Sequence, residues 1–127
     1  MADVTLANGT LSVNNDSIAY EGGSLKYKGG KGDIKLIPQC SGGNSISMVM
    51  VQDITTMKSS VSFGLRPTKA NLDRIKDWQA SIEGNSILIS NVTFNETFRG
   101  MYIIKDPEIT LSPDGVITVE FEGTPTV

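Results

Sequence analysis

Two stretches of this chain alternate so strictly that few folds remain open to it. Val61, Phe63 and Leu65 take turns with Ser60, Ser62 and Gly64, and Ile117, Val119 and Phe121 take turns with Thr118, Glu120 and Glu122. A period of two sends successive side chains to opposite faces, so each stretch reads as a β-strand with one buried and one polar face. Strands of this kind need a sheet around them and an apolar layer against their inner side. On the first strand the polar face carries only very small groups, which suits a neighbouring backbone or a water-filled space.

Turn signals cut the rest of the chain into short pieces. Asn8-Gly9 stands between Val4, Leu6 and Leu11, Val13, a hairpin pattern. Ser17 to Tyr20 reads as a short strand, and Leu25 and Tyr27 alternate with lysines. Lys28, Gly29, Gly30, Lys31 and Gly32 are too rich in glycine for a regular element and read as a flexible surface loop. Ile34 and Leu36 resume a strand that is expected to end near Pro38. Further on, Ile87-Leu88-Ile89, then Val92, Phe94 and Phe98, then Met101 to Ile104 form apolar runs, the last closed by Asp106-Pro107. Ile109 and Leu111 precede Ser112-Pro113-Asp114-Gly115, a turn whose proline presets one backbone angle and whose glycine frees another.

One helix is expected, over about residues 68–83. Thr68 is its N-cap, Leu72, Ile75, Trp78 or Gln79, and Ile82 recur at helical spacing, and Asp73, Arg74, Lys76 and Asp77 fill the outer face. Gly84 stands where a left-handed residue would end it. The 127 residues then make a single, mainly β domain, a two-layer β-sandwich or barrel-like fold with one flanking α-helix.

The residue inventory excludes most chemistry. There is no histidine, so the usual general base and the commonest metal ligand are missing. Cys40 is the one cysteine, which rules out an intramolecular disulfide and, without histidine, an ordinary zinc site. The Lys28–Gly32 run lacks the Ser/Thr that a phosphate loop places after its lysine. Glu120 and Glu122 share one strand face and read as a solvated face rather than an acid–base pair. No catalytic residue, cofactor or metal is therefore expected. The net charge of −3 argues against a nucleic-acid grip but suits a surface past which DNA slides. No apolar run reaches the roughly 18 residues of a membrane helix, and no secretory signal is expected from MADVTLANGT. The four Asn-X-Ser/Thr sites, at Asn8, Asn15, Asn91 and Asn95, accordingly read as turn and strand chemistry.

The stretch from Pro38 to Lys58 is glycine-flanked and apolar at its centre. Ile46, Met48 and Met50 lie on one side of a possible strand, with Val49 and Val51 on the other. A monomer would rarely expose such a segment, so Ser41, Gly42, Gly43, Ile46, Met48, Met50, Asp53 and Met57 are read as an arm that packs on another subunit.

The run Met57-Lys58-Ser59-Ser60-Val61-Ser62-Phe63-Gly64-Leu65-Arg66-Pro67-Thr68, with Asn71 and Trp78, resembles the strand–helix centre of the tail tube proteins of contractile-tailed bacteriophages. Asp106-Pro107-Glu108-Ile109, Asp114-Gly115-Val116-Ile117 and Glu120-Phe121-Glu122-Gly123 are similar to that family's final hairpin, and Ser41-Gly42-Gly43 to Asp53 to its extended loop. The resemblance runs from about Ser24 onward and rests on a diffuse pattern rather than an invariant signature. It implies hexameric rings whose sheets join around a channel, stacked as a tube within a sheath and conducting DNA from capsid to cell. The implied partners are further copies of the chain, sheath protein, tape measure protein and the baseplate or tail terminator, with DNA in passive transit. The implied location is a virion tail assembled in the bacterial cytoplasm. Carried over, Pro67 to Gly84 lie on the outer side, Cys40 to Met57 reach a neighbouring subunit, and Ser60, Ser62, Thr118 and Glu120 face the channel. Tailocins and type VI secretion tubes use the same ring fold. A monomeric β-sandwich binding module is the alternative of a different class, and it would display an aromatic platform.

Overall fold

The computed structural model of the chain describes residues 9–40, 42–43, 45–91 and 93–125. Its strands are β1 (Thr10–Val13), β2 (Asp16–Ile18), β3 (Lys26–Lys28), β4 (Asp33–Cys40), β5 (Ile46–Asp53), β6 (Ser59–Leu65), β7 (Asn85–Ser90), β8 (Asn95–Ile103) and β9 (Ile117–Gly123). One helix, α1 (Lys69–Ala80), lies between β6 and β7. Seven strands form an antiparallel sheet in the order β2-β1-β7-β8-β9-β6-β3, while β4 and β5 pair only with each other.

The sheet folds over on itself at β8. This strand pairs with β7 through most of its length and with β9 through Tyr102 and Ile103, and the register shifts between Asn85 and Ile87. Gly100, at φ +62, takes a backbone angle that other residues resist. A single strand therefore holds both Phe98 and Met101, which read from sequence as separate runs. The fold brings Tyr27 of the edge strand β3 onto Phe98 of β8, with ring centroids 5.6 Å apart. Mainly β layering with one helix is thus as expected, but the sheet does not close into a barrel, and β2 and β3 remain as its edges.

The core is the inner face of this curved sheet. Leu11, Val13, Val61, Phe63, Leu65, Ile87, Ile89, Phe98, Met101, Ile117, Val119 and Phe121 are fully buried there. The two alternating strands pair in register, Phe63 beside Val119 and Val61 beside Phe121, so their apolar residues fall on one side together. Helix α1 covers them: Trp78 sits 6.0 Å from Phe63 and 5.7 Å from Phe121, centroid to centroid. Burying side chains of this size stabilises the fold by roughly 1.5–3 kcal/mol each.

Local chemistry explains the ends of the elements. Thr68 caps α1, its hydroxyl accepting from Asn71 N–H at 3.2 Å. The helix stops at Ala80, three residues before the expected end, and Ile82 is 90% exposed rather than on its apolar face. Asn85 is buried beneath that end and donates to the Trp78 and Met101 carbonyls, both at 3.1 Å. Gly84 does have positive φ, but it serves a close approach to Gly100 and follows the helix end by four residues. The β1–β2 hairpin turns at Asn14-Asn15, both at positive φ, as a two-residue turn with the twist of its strands requires. For the hairpin expected at Asn8-Gly9, Val4, Leu6 and Asn8 lie outside the described residues, as does Val92 of the later run. Residues 106–116 carry no strand, so the expected final hairpin does not form, and β9 pairs with β6 and β8 instead.

Candidate assembly surfaces

Strands β4 and β5 form a projecting hairpin with Asp33 opposite Asp53 at its root and Cys40 opposite Ile46 near its tip. Residues directly opposite in an antiparallel pair point to the same face. One face therefore carries Ile34, Leu36, Pro38 and Cys40 beside Gln52, Met50, Met48 and Ile46. It is apolar except for Gln52. The other face carries Lys35, Ile37 and Gln39 beside Val51, Val49 and Ser47. No described residue covers the first face: Leu36 is 61%, Met50 66% and Ile46 69% exposed. A two-stranded hairpin is at best marginal in water, and few soluble surfaces leave this much contiguous apolar area open.

The arm read from sequence is thus a hairpin, and its boundaries move. Ile46, Met48 and Met50 lie on its apolar face as expected, but Ile34 and Leu36 stand beside them, so β4 belongs to the arm and runs past Pro38 to Cys40. Gly42 and Gly43, at φ +81 and +60, are at the tip; Ser41 lies outside the described residues. The mirrored alternation about the two glycines was the available signal, with Ile34, Leu36 and Cys40 before them and Ile46, Met48 and Met50 after.

Asp53 and Met57 lie at the root. Asp53 caps a 3-10 turn, Ile54–Thr56, accepting from the Thr55 hydroxyl at 2.6 Å and from Thr55 N–H at 3.1 Å. These bonds, with a smaller contribution from the charge of Lys35, hold its carboxyl below the ordinary 3.8 against an opposing effect of burial. Asp33 N–H donates to Thr56 Oγ1 at 2.7 Å, and the Gln52 amide donates to the Lys31 carbonyl. Met57 is half-buried beside Gly32, where a side chain would collide with it.

The glycine loop docks on this root. Gly30 is buried at φ +93, and a Cβ there would come within 2.9 Å of the backbone at Lys58, Ser59 and Pro125. Gly32, at φ +77, meets Met57, Thr56 and Asp53 as closely. Lys28 is the last residue of β3 and, with Gly29 and Lys31, borders an open cleft of about 610 Å³ that also includes Lys58 and Glu122. Those two form an ion pair at 3.0 Å, leaving the cleft with mixed charge.

A second surface is the outer face of the sheet. Ser62 pairs with Glu120, Ser60 with Glu122 and Gly64 with Thr118, so the four candidate channel-facing residues Ser60, Ser62, Thr118 and Glu120 do share one face. It lies opposite the face that α1 covers. Lys26 and Lys28 of β3 stand opposite Ser62 and Ser60 and join it, a contribution the sequence reading missed. Ser12, Ser17 and Ser90 continue this face across β1, β2 and β7, with the exposed Leu88 opposite Ser12 among them. Gly64 is small for an internal reason: Val116 and Ser24 of the same chain lie over it, and Ser24 Oγ accepts its N–H at 3.0 Å.

Among the described residues no group of three metal-ligating side chains occurs, and no helix is long and apolar enough to cross a membrane. Comparison with protein-family models, with curated proteins and with solved structures gives no match.

Proposed function

We propose that the chain is a structural subunit of a self-assembling tube, of the kind formed by the tail tube proteins of contractile-tailed phages. Its rings stack, and DNA passes along the lumen without any bond being made or broken. The observation that carries this reading is the projecting hairpin Asp33–Asp53, whose apolar face has no cover among the described residues. Covering it with a further copy removes that face from water at about 25 cal/mol per Å². The free edges β2 and β3 support the same reading, because a head-to-tail contact of unlike edges closes rings and leaves no edge to aggregate. The outer face, with its hydroxyls and balanced charges, is the surface offered to the lumen, where an attractive wall would slow DNA. Six subunits per ring, and the sheath, tape measure and baseplate or terminator partners, come from the family resemblance.

Negative-stain electron microscopy over a range of concentrations tests the proposal, with the hairpin as its variable. Asp33 and Asp53 are cross-strand partners, so residues 34–52 can be replaced by a short Gly-Ser bridge without pulling on the body. The unmodified protein is expected to form rings or hollow tubes of one diameter. The bridged variant is expected to stay folded and monomeric. Tubes from the bridged variant would remove the hairpin from the assembly. An unmodified protein that stays monomeric at every concentration and beside a preformed tube end would remove the tube.

A further inference from the structure

Residues 106–111 carry a strand pattern that the monomer does not use. Ile109 and Leu111 alternate with Glu108 and Thr110, yet the segment has no ladder; its Thr110 carbonyl accepts locally from Ser112 N–H, and the Asp106 carboxylate accepts from the Gln79 side chain of α1 at 3.0 Å. Leu111 is 79% exposed and Ile109 47%. Among the described residues, β4 and β5 form a two-stranded sheet without a third strand. We propose that residues 106–111 of one copy add to the free edge of β4 in a second copy and turn its hairpin into a three-stranded sheet.

Parity and charge both select this pairing. When Ile109 and Leu111 join the face of Ile34 and Leu36, Glu108 and Thr110 fall on the opposite face, where Lys35 stands. Lys35 forms no ion pair among the described residues. The segment 106–111 holds two acids, Asp106 and Glu108, and no base, whereas β5 from Ile46 to Val51 holds no charge at all. The complementary edge is therefore β4. Strand addition also meets the minimum that a two-stranded hairpin misses, since three strands with one apolar face are the smallest stable sheet. The apolar face is then held against the body of the copy that supplied the strand.

The inference rests on the self-assembly proposed above, and its test separates the two. In a Cys40→Ala background, Lys35→Cys and Glu108→Cys are introduced together, both at exposed positions. Asp73→Cys on the exposed side of α1 replaces Glu108→Cys in a control. After mild oxidation, non-reducing electrophoresis is expected to show a ladder of disulfide-linked multimers for the Lys35/Glu108 pair and at least tenfold less for the control. Charge exchange, Lys35→Glu with Glu108→Lys, is expected to restore assembly that either single variant weakens. Assemblies visible by light scattering but without the ladder, or with an equal ladder in the control, overturn the inference and leave self-assembly standing. The charge exchange is read in the unmodified Cys40 background, and an unmodified protein that never assembles overturns both.

Discussion

Asn85 is the side chain on which most of the molecule converges. Its amide gives one hydrogen to the Trp78 carbonyl at the end of α1 and the other to the Met101 carbonyl in β8. Its oxygen accepts from Asn14 at 2.9 Å, in the turn between β1 and β2. Every polar atom is used, as a buried amide requires. Asn85→Ala removes three hydrogen bonds: it takes a donor from the Met101 carbonyl, leaves the Trp78 carbonyl with Ser81 N–H alone and turns the exposed Asn14 amide to water, and an unmet buried group costs about 1–3 kcal/mol. The expected loss is on the order of 2–4 kcal/mol in urea unfolding of the monomer, with an unchanged denaturant slope. A loss below about 0.5 kcal/mol would mean that water reaches the site. Nothing in the sequence marks this residue, because its partners are brought together only by the fold. Val61, Phe63, Ile117, Val119 and Phe121 were legible, since a strict period of two leaves each one face to bury. Among the candidate site residues, the shared face of Ser60, Ser62, Thr118 and Glu120 followed from the same period.

At the scale of elements, the hairpin root makes a prediction about pH. The Asp53 carboxyl sits below 3.8 because it accepts two bonds from Thr55. Its folded value is depressed relative to the unfolded chain, so the capping contribution is fully present above 3.8 and is lost as pH falls through the lower, folded value. Titration of the Thr55 amide resonance should therefore show its midpoint below 3.8. A midpoint at or above 3.8 would show that Thr55 does not hold the carboxylate, and Asp53→Asn should abolish the transition. Elements also show where local pattern stops being informative. The helix stops at Ala80, where Ser81 N–H and the Asn85 amide both take up the Trp78 carbonyl, although Ile82 keeps the helical spacing for another turn. Residues 109–111 have the alternation of a strand but join no edge of the monomer. In both cases the sequence carries a local preference, and the deciding term is whether a partner lies within reach.

For the whole molecule, stability is divided in a way that assembly should expose. The buried core lies in the seven-stranded sheet and α1, while every residue of β4 is exposed and, among the described residues, β5 has no strand neighbour but β4. Opening the hairpin exposes almost no further apolar surface, so its amides should open at low local cost, while those of β6, β7 and β9 open only with global unfolding. Hydrogen exchange at residues 34–39 and 46–52 of the monomer should then be fast, close to the rate of an unstructured chain. In the assembled state these amides acquire a cover, and their exchange should slow by several orders of magnitude while the core strands change little. The inequality between the two regions is what matters. Uniform slowing across the chain would mean that assembly stabilises the domain as a whole. Slowing confined to β2 and β3 would place the contact at the sheet edges and leave the hairpin idle. Protection that appears at residues 34–37 and 107–111 together, and only on assembly, is the pattern expected of an arm completed by a strand from a second copy.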